Sequence, residues 1–374
     1  MKKFKVGVIG CGAISDTYLS NMSKEEKLKY IFEPCALADI NINAAKAQAE
    51  KYGVKKYYSS IDELLEDDEV ELVLNLTNPW AHYDINKKAL ENGKHIYSEK
   101  PLALTADEAQ ELTELAEAKG LALGCAPDVY MGSGQQTTRQ AIEAGLIGTP
   151  VTADAYIMMN VPRTNYMSEG IGGQQLDMGP YFVAALVNLF GPVVRVSGAK
   201  HKVTDSKFVD DVSSEKYGEK FAIDAYSTVT GILEFNNGVI ATLTTTNDGY
   251  YYGPKFEIHG TKASFISSDP NMFTGDKFLR EAYEDGKKDY LYPDKFPYRE
   301  EHRGLGMADM MISWSEGREW RANGHFAAHI IDVLNSIIES ADTGTRIDIR
   351  HQCKQPEPIA DVWSANPIDP SVKY

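Results

Sequence analysis

The chain opens on a short β-rich run, Lys5-Val6-Gly7-Val8-Ile9, followed by Gly10-Cys11-Gly12-Ala13-Ile14-Ser15 and apolar positions at helical spacing. That order predicts a strand, a glycine turn and a helix. A second apolar run, Cys35 to Ala38, stops at Asp39, and helices are predicted over 42–52 and after Ser60, where Ser60 and Glu63 have capping-box spacing. Residues 70–76 are apolar without alternation, the pattern of a parallel strand buried on both faces. Thr77-Asn78-Pro79 ends that run, and Trp80, Ala81 and His82 open a helix that stops at Gly93. A strand at 96–98 leads into Glu99-Lys100-Pro101, then a helix from Thr105 with a capping box through Glu108, then a last strand at 121–124. Strands and helices alternating from 5 to 124 predict a doubly wound parallel sheet.

After Cys125 the pattern changes. A helix is predicted over 135–144, then β-rich stretches at 151–159, 226–234 and 239–245, the last two joined by the hairpin signal Asn237-Gly238. Residues 255–259 and 262–267 predict a second hairpin through Gly260, so this half is expected to be α+β with a largely antiparallel open sheet. The stretch 269–319 is polar, aromatic and poorly periodic and reads as loops and short elements. Phe326, Ile330, Leu334 and Ile338 mark one face of a long helix, and the proline-bearing tail from Gln355 reads as irregular. The expected domains are 1–125 and 126–374.

Three clusters carry chemistry. Gly10 permits a tight turn and Gly12 lets a pyrophosphate approach the helix N-terminus formed by Ala13 and Ile14, where free N–H groups and the helix dipole favour an anion. Ser15 stands where the usual fingerprint has its third glycine. Asp39, at the end of the second strand, suits the 2′-hydroxyl of an adenosine ribose and repels a 2′-phosphate, which favours NAD over NADP. The second cluster, Glu99-Lys100-Pro101, sets an ammonium at the carboxyl end of a strand, where open α/β sheets bind ligands. The third is Gly172-Gly173-Gln174-Gln175-Leu176-Asp177-Met178-Gly179-Pro180-Tyr181. A helix beginning near Asp177 would place Asp177 and Tyr181 one turn apart on one side; the other reading makes Asp177 a cap and Tyr181 core packing.

Composition narrows the partners. At 374 residues two domains are expected, and a net charge of −16 argues against nucleic acid or an anionic membrane as partner. Cys11, Cys35, Cys125 and Cys353 form no CxxC pair, so no metal or redox motif is read and a reducing compartment fits. The opening residues carry no long apolar segment and no run is long enough to span a bilayer, so a soluble cytoplasmic protein is expected.

The Gly10 turn, Glu99-Lys100-Pro101 and Asp177-x-Gly-x-Tyr181, in that order, resemble the Gfo/Idh/MocA family of oxidoreductases over nearly the whole chain. The resemblance implies a Rossmann domain followed by a domain whose sheet forms a homodimer or homotetramer. It implies that Gly10, Gly12, Asp39, Thr77, Asn78, Pro79, His82, Glu99 and Lys100 contact or border NAD, and that Lys100, Asp177 and Tyr181 form the catalytic set acting on a sugar or polyol. Many sugar and inositol dehydrogenases of the family carry histidine where this chain has Tyr181. Tyrosine there resembles the glucose-fructose oxidoreductase, dihydrodiol dehydrogenase and xylose dehydrogenase branch. Arg163, Asn165 and Tyr166 precede the third cluster and are candidates for the substrate pocket. A dinucleotide-binding sensor and an NAD-dependent glycosidase of the same family are the alternative functions.

Oxidising a hydroxyl sends hydride to the nicotinamide and needs a base for the hydroxyl proton. Free tyrosine titrates near pH 10, and a neighbouring ammonium favours its phenolate. The expected roles are proton exchange at Tyr181, assistance and hydrogen bonding to the reacting oxygen from Lys100, and orientation by Asp177.

Overall fold

A computed structural model of the chain describes residues 3–24, 28–159, 172–210, 212, 214–249, 251, 253, 255–283 and 286–359. Arg163, Asn165 and Tyr166 lie outside them. The chain forms two compact units, Met1–Met131 with Glu301–Ala328 and Pro356–Tyr374, and Gly132–Glu300 with His329–Gln355.

In the first unit six parallel strands, β1 (Phe4–Ile9), β2 (Phe32–Ala38), β3 (Lys56–Tyr58), β4 (Leu72–Asn75), β5 (His95–Ser98) and β6 (Leu123–Cys125), pair in the order β3-β2-β1-β4-β5-β6. The order reverses between β1 and β4, which makes the crevice beyond their carboxyl ends the natural ligand position. Val6, Val8, Leu72, Val73, Leu74 and Ile96 are wholly buried, as expected of strands covered on both faces. The helices are α1 (Ala13–Ser23), α2 (Ile42–Tyr52), α3 (Ile61–Leu65), α4 (His82–Glu91) and α5 (Ala106–Ala118). The capping box forms at Thr105 and Glu108. At Ser60 it does not: the Ser60 hydroxyl accepts from the N–H of Asp62 rather than from that of Glu63. The edge of β6 is covered by later chain. Ala322 O accepts from Cys125 N at 3.0 Å and the Trp320 indole donates to Leu123 O at 2.8 Å, which removes an exposed strand edge.

The second unit carries α6 (Ser133–Glu143), α7 (Gly173–Asp177), α8 (Gly179–Phe190) and a sheet of nine strands. These are β7 (Pro150–Met158), β8 (Val193–His201), β11 (Thr228–Phe235), β12 (Ile240–Thr246), β13 (Phe256–Gly260), β14 (Ser264–Ile266), β15 (Phe278–Tyr283), β16 (Gly286–Leu291) and β17 (Ile347–Asp348), with β9 (Ser206–Phe208) and β10 (Lys220–Ala222) as a separate pair. The sheet is antiparallel except for β7 and β12, which run parallel. One face packs on α8, whose Phe182 and Phe190 meet Phe256 and Phe235 edge-on. A Cβ on Gly198 would lie 2.0 Å from Ile337 O, so glycine in β8 is what lets the helix carrying Ile337 approach the strands.

Two elements in the stretch read as loops are regular. The hairpin β15–β16 extends the sheet, and α9 (Leu305–Ser315) is a helix of the first unit. Neither could show a period. β16 is exposed on both faces, and α9 is buried along nearly all of its length, so it has no polar stripe to alternate with. The long helix α10 runs over Gly324–Thr343, as its apolar face predicts.

Candidate functional site

The glycine turn is set by β1. Gly10 has φ +93°, and a Cβ there would stand 2.7 Å from the carbonyl carbon and oxygen of Leu76, so only glycine fits between β1 and the end of β4. Gly12 precedes α1 with no side-chain cap and nothing within 4 Å of where its Cβ would be. Gly12 and Ala13 are exposed, so the first N–H groups of α1 face an open approach. Ser15 is wholly buried and its hydroxyl donates to Gly12 O at 2.6 Å, so it tightens the turn where a third glycine would only have packed. Asp39 is half-buried. Its Oδ2 accepts from Cys11 N at 2.8 Å and its Oδ1 from Asn41 N at 2.8 Å, which fixes the carboxylate at the end of β2 beside the turn. Burial, with help from Asp39, pushes the Cys11 thiol up to about 12, so it remains a neutral packing group.

The carboxyl ends of β4 and β5 are tied together by side chains. Asn75 Oδ1 accepts from the N–H and hydroxyl of Thr77 at 3.1 and 2.7 Å, and Asn75 Nδ2 donates to Asn86 Oδ1 at 2.8 Å. His82 is 1% exposed. Its Nδ1 lies 2.6 Å from Pro101 O and its Nε2 3.0 Å from Thr77 O, so the ring spans the loops after β5 and β4, and the single N–H of the neutral ring donates to one of the two carbonyls. Burial holds the imidazole below its ordinary value, against the pull of those two carbonyls. His82 therefore sits between the loop bearing Thr77, Asn78 and Pro79 and the carbonyl of Pro101, the residue after the cis Lys100–Pro101 bond. Glu99 and Lys100 are each 8% exposed. Glu99 Oε2 accepts from Lys100 N at 3.1 Å and Oε1 from the Tyr18 hydroxyl at 2.8 Å.

Gly10, Gly12, Ala13, Ile14, Asp39, Thr77, Asn78, Pro79, His82, Glu99 and Lys100 thus stand on the turns that leave β1, β2, β4 and β5 or at the first residues of the helices that follow. An open helix N-terminus, a fixed carboxylate at the next strand end and an amine beyond β5 fit a dinucleotide. Tyr18, Asn75 and Asn86 hold these turns and were not singled out from sequence. The one signal for Asn75 was an amide at the end of an apolar strand, and Asn86 carried none in a helix already rich in polar residues.

A further buried acid lies under this end of the sheet. Asp128 follows the cis Ala126–Pro127 bond, and its Oδ2 accepts from Gly304 N and Gly306 N, each at 2.9 Å. Its Oδ1 has no hydrogen-bond partner among the described residues, and burial pushes the carboxyl up to about 6. The unfolded chain loses this proton near pH 4 while the native one keeps it, so stability falls as pH rises from about 4 to about 6. The cost, on the order of 3 kcal/mol, is complete above that. Asp128→Asn keeps the acceptor for both N–H groups. Relative to wild type it is expected to gain about 1–3 kcal/mol between pH 4.5 and pH 7; urea melts at the two pH values giving the same difference would contradict this.

In the second unit the third cluster is built differently from the single helix expected. Asp177 closes α7, Met178 breaks the helix at φ −110° and ψ −25°, and Tyr181 sits in the first turn of α8. Pro180 is the reason: it has no N–H for the carbonyl four residues back, so a helix running through it would lose that bond, whereas in a first turn none is needed. Asp177 is 2% and Tyr181 7% exposed. Beside them Gln174 Oε1 accepts from Asn247 Nδ2 at 2.9 Å and Gln175 Oε1 from Thr245 Oγ1 at 3.0 Å, which ties α7 to β12 and the turn after it.

Residues 4–126 match the model of the Gfo/Idh/MocA oxidoreductase family, NAD-binding Rossmann fold, and residues 135–266 match that of the family's C-terminal domain. The chain belongs to the Gfo/Idh/MocA family. NAD is the cofactor of its Rossmann domain. This family member is 29% identical over 279 residues to an uncharacterized oxidoreductase of Schizosaccharomyces pombe, covering 71% of each chain. It is 25% identical over 361 residues to the D-glucoside 3-dehydrogenase of Escherichia coli, covering 92% of this chain and 97% of that one. A levoglucosan dehydrogenase solved with NADH and L-sorbose has the same fold, with a TM-score of 0.78, 19% identity, and coverage of 94% of this chain and all of that one. No helix among the described residues is long and apolar enough to cross a membrane.

Proposed function

We propose that this oxidoreductase of the Gfo/Idh/MocA family moves a hydride between NAD and a hydroxyl or carbonyl carbon of a sugar or polyol, in the cytoplasm. The observation that carries the reading is Lys100, an amine 8% exposed at the end of a strand, whose backbone is held by its own neighbour Glu99. Relatives named for glucoside and levoglucosan oxidation support the substrate class.

NAD, when bound, supplies the hydride acceptor. Gly12 and the first N–H groups of α1 would hold its pyrophosphate, Asp39 its ribose hydroxyls, and the Thr77-Asn78-Pro79 loop would border it. Lys100 hydrogen-bonds the reacting oxygen and favours its deprotonated form, Tyr181 exchanges the hydroxyl proton, and Asp177 orients the substrate. The dinucleotide domain is the first unit, which takes in Glu301–Ala328 and Pro356–Tyr374 besides the N-terminal part expected as 1–125, and the substrate and assembly domain is the second, Gly132–Glu300 with His329–Gln355, rather than all of 126–374.

A screen of aldoses, inositols and sugar acids with NAD and with NADP tests this directly. Steady NADH formation with at least one sugar is expected, and slower turnover with NADP. Tyr181→Phe is expected to lower kcat about 10²–10³-fold with little change in NAD affinity, within the range of general acid–base catalysis; unchanged turnover would leave the proton to Lys100. No net NADH from any of these substrates would defeat the reading.

We also propose that two copies assemble through the open face of the nine-stranded sheet. That face carries Thr228, Thr230, Thr242, Thr244 and Thr246, with Ile232 45% and Ile240 47% exposed, and its charges are largely paired within the sheet, Arg195 with Glu234 and Arg280 with Glu257. Ile232→Lys is expected to yield monomers by light scattering, and a mass unchanged from wild type would count against this face.

A further inference from the structure

Lys100 follows a residue whose polar atoms are all held. Glu99 N donates to Asn75 O at 2.8 Å, and Glu99 O accepts from Ser98 Oγ at 3.0 Å and Cys125 Sγ at 3.6 Å. Its Oε2 takes the N–H of Lys100 at 3.1 Å and its Oε1 takes the hydroxyl of Tyr18 at 2.8 Å. The strands and their ends supply all of these but one. Tyr18 comes from α1, the helix whose N-terminus receives the dinucleotide.

Tyr18 is wholly buried. Burial, then the carboxylates of Glu99 and Asp128, push its phenol well above the ordinary value, so it stays protonated and donates over the whole working range. It lies one turn beyond Ser15, whose hydroxyl holds Gly12 O. Two side-chain bonds and one helical turn therefore connect the backbone of Gly12 with the dipeptide that carries the amine.

We infer that Tyr18 is a positioning residue for Lys100, acting through Glu99, and that it joins the seating of the pyrophosphate on α1 to the aim of the amine. The inference rests on the reading of Lys100 as the catalytic amine. The terminal torsion of a glutamate is soft, so the carboxylate keeps one orientation only while both oxygens are held. Without the Tyr18 hydroxyl, Oε1 is a buried acceptor lacking its donor. The carboxylate then turns to find another, and the N–H of Lys100 loses its fixed partner. Phenylalanine at 18 keeps the packing and removes only the donor.

The test compares Tyr18→Phe, Glu99→Gln and the double variant in the full-length protein. Three measurements apply: kcat and KM separately, NADH affinity by fluorescence, and the acetylation rate of Lys100 by acetic anhydride across pH, read by mass spectrometry. Tyr18→Phe is expected to lower kcat about tenfold, leave the KM for NAD and the NADH affinity within twofold, and change the Lys100 acetylation profile at least threefold at one pH. On the Glu99→Gln background the Tyr18 change is expected to add less than twofold, because the shared link is already broken. Losses that multiply, or a kcat loss matched by an equal loss of NADH affinity, would overturn the inference. The acetylation profile needs no substrate. If no sugar is turned over by wild type, the functional reading fails, while an unaltered Lys100 profile in Tyr18→Phe overturns the positioning role on its own terms.

Discussion

Lys100→Met is expected to lower kcat by about 10²–10⁴, the range that a positioned acid–base group supplies. Methionine matches the length of most of the side chain and keeps its apolar contacts, so the change isolates the amine. On the proposed reading the pyrophosphate and the ribose are held elsewhere, by Gly12 with the N-terminus of α1 and by Asp39, itself held by Cys11 N. NADH affinity measured by fluorescence titration is therefore expected to stay within about threefold, so the loss falls on the chemical step. Lys100→Arg is not expected to rescue turnover, because a guanidinium keeps its proton in any working range and spreads its charge over a planar fork. Turnover within tenfold of wild type in Lys100→Met would remove the amine from the mechanism.

Arg321→Met is expected to destabilise the protein by about 3–5 kcal/mol, the cost of leaving a buried charge without its partner. Arg321 donates to both oxygens of Asp309, from Nη1 at 2.5 Å and from its backbone N at 2.8 Å, and to the carbonyls of Glu357 and Pro358. The pair side chains are 5% and 1% exposed, so water cannot replace what is removed. Burial already pushes the Asp309 carboxyl up, with Arg321 the main opposing influence. Taking Arg321 away raises the carboxyl further. A native state that keeps a proton which the unfolded state has lost becomes less stable as pH rises, so the deficit is expected to be larger at pH 8 than at pH 5. Melting curves of both proteins at both pH values measure it, and an equal deficit at each would show that the lost contacts, not the stranded carboxylate, carry the cost.

The parts of the site legible in the sequence are those whose signal is local. A glycine that must accept φ +93° against Leu76, an acid at a strand end and a proline that forbids an unpaired N–H are each read within a few residues. Asp177 and Tyr181 show the limit. The proline that marked the cluster also dictates a break at Met178, so the expected single helix is two. The partners of the site residues were not legible. Tyr18 lies 81 positions from Glu99 and Asp128 lies 176 from Gly304, and nothing in either neighbourhood distinguishes a buried donor from an ordinary amphipathic position.

The strand-and-helix alternation, the glycine turn after β1 and the choice of a parallel sheet before an antiparallel one were determined by the sequence alone, because periods of 2 and 3.6 report which face of an element avoids water and unbroken apolar runs report strands covered on both. Only the tertiary structure decided that α9 is a helix and β15–β16 a hairpin, that β7 and β12 run parallel, and that Tyr18 and His82 grip the peptide around Lys100. An element buried or exposed on every side has no period to read. A hydrogen bond between distant residues exists only once the strands between them have been put in order.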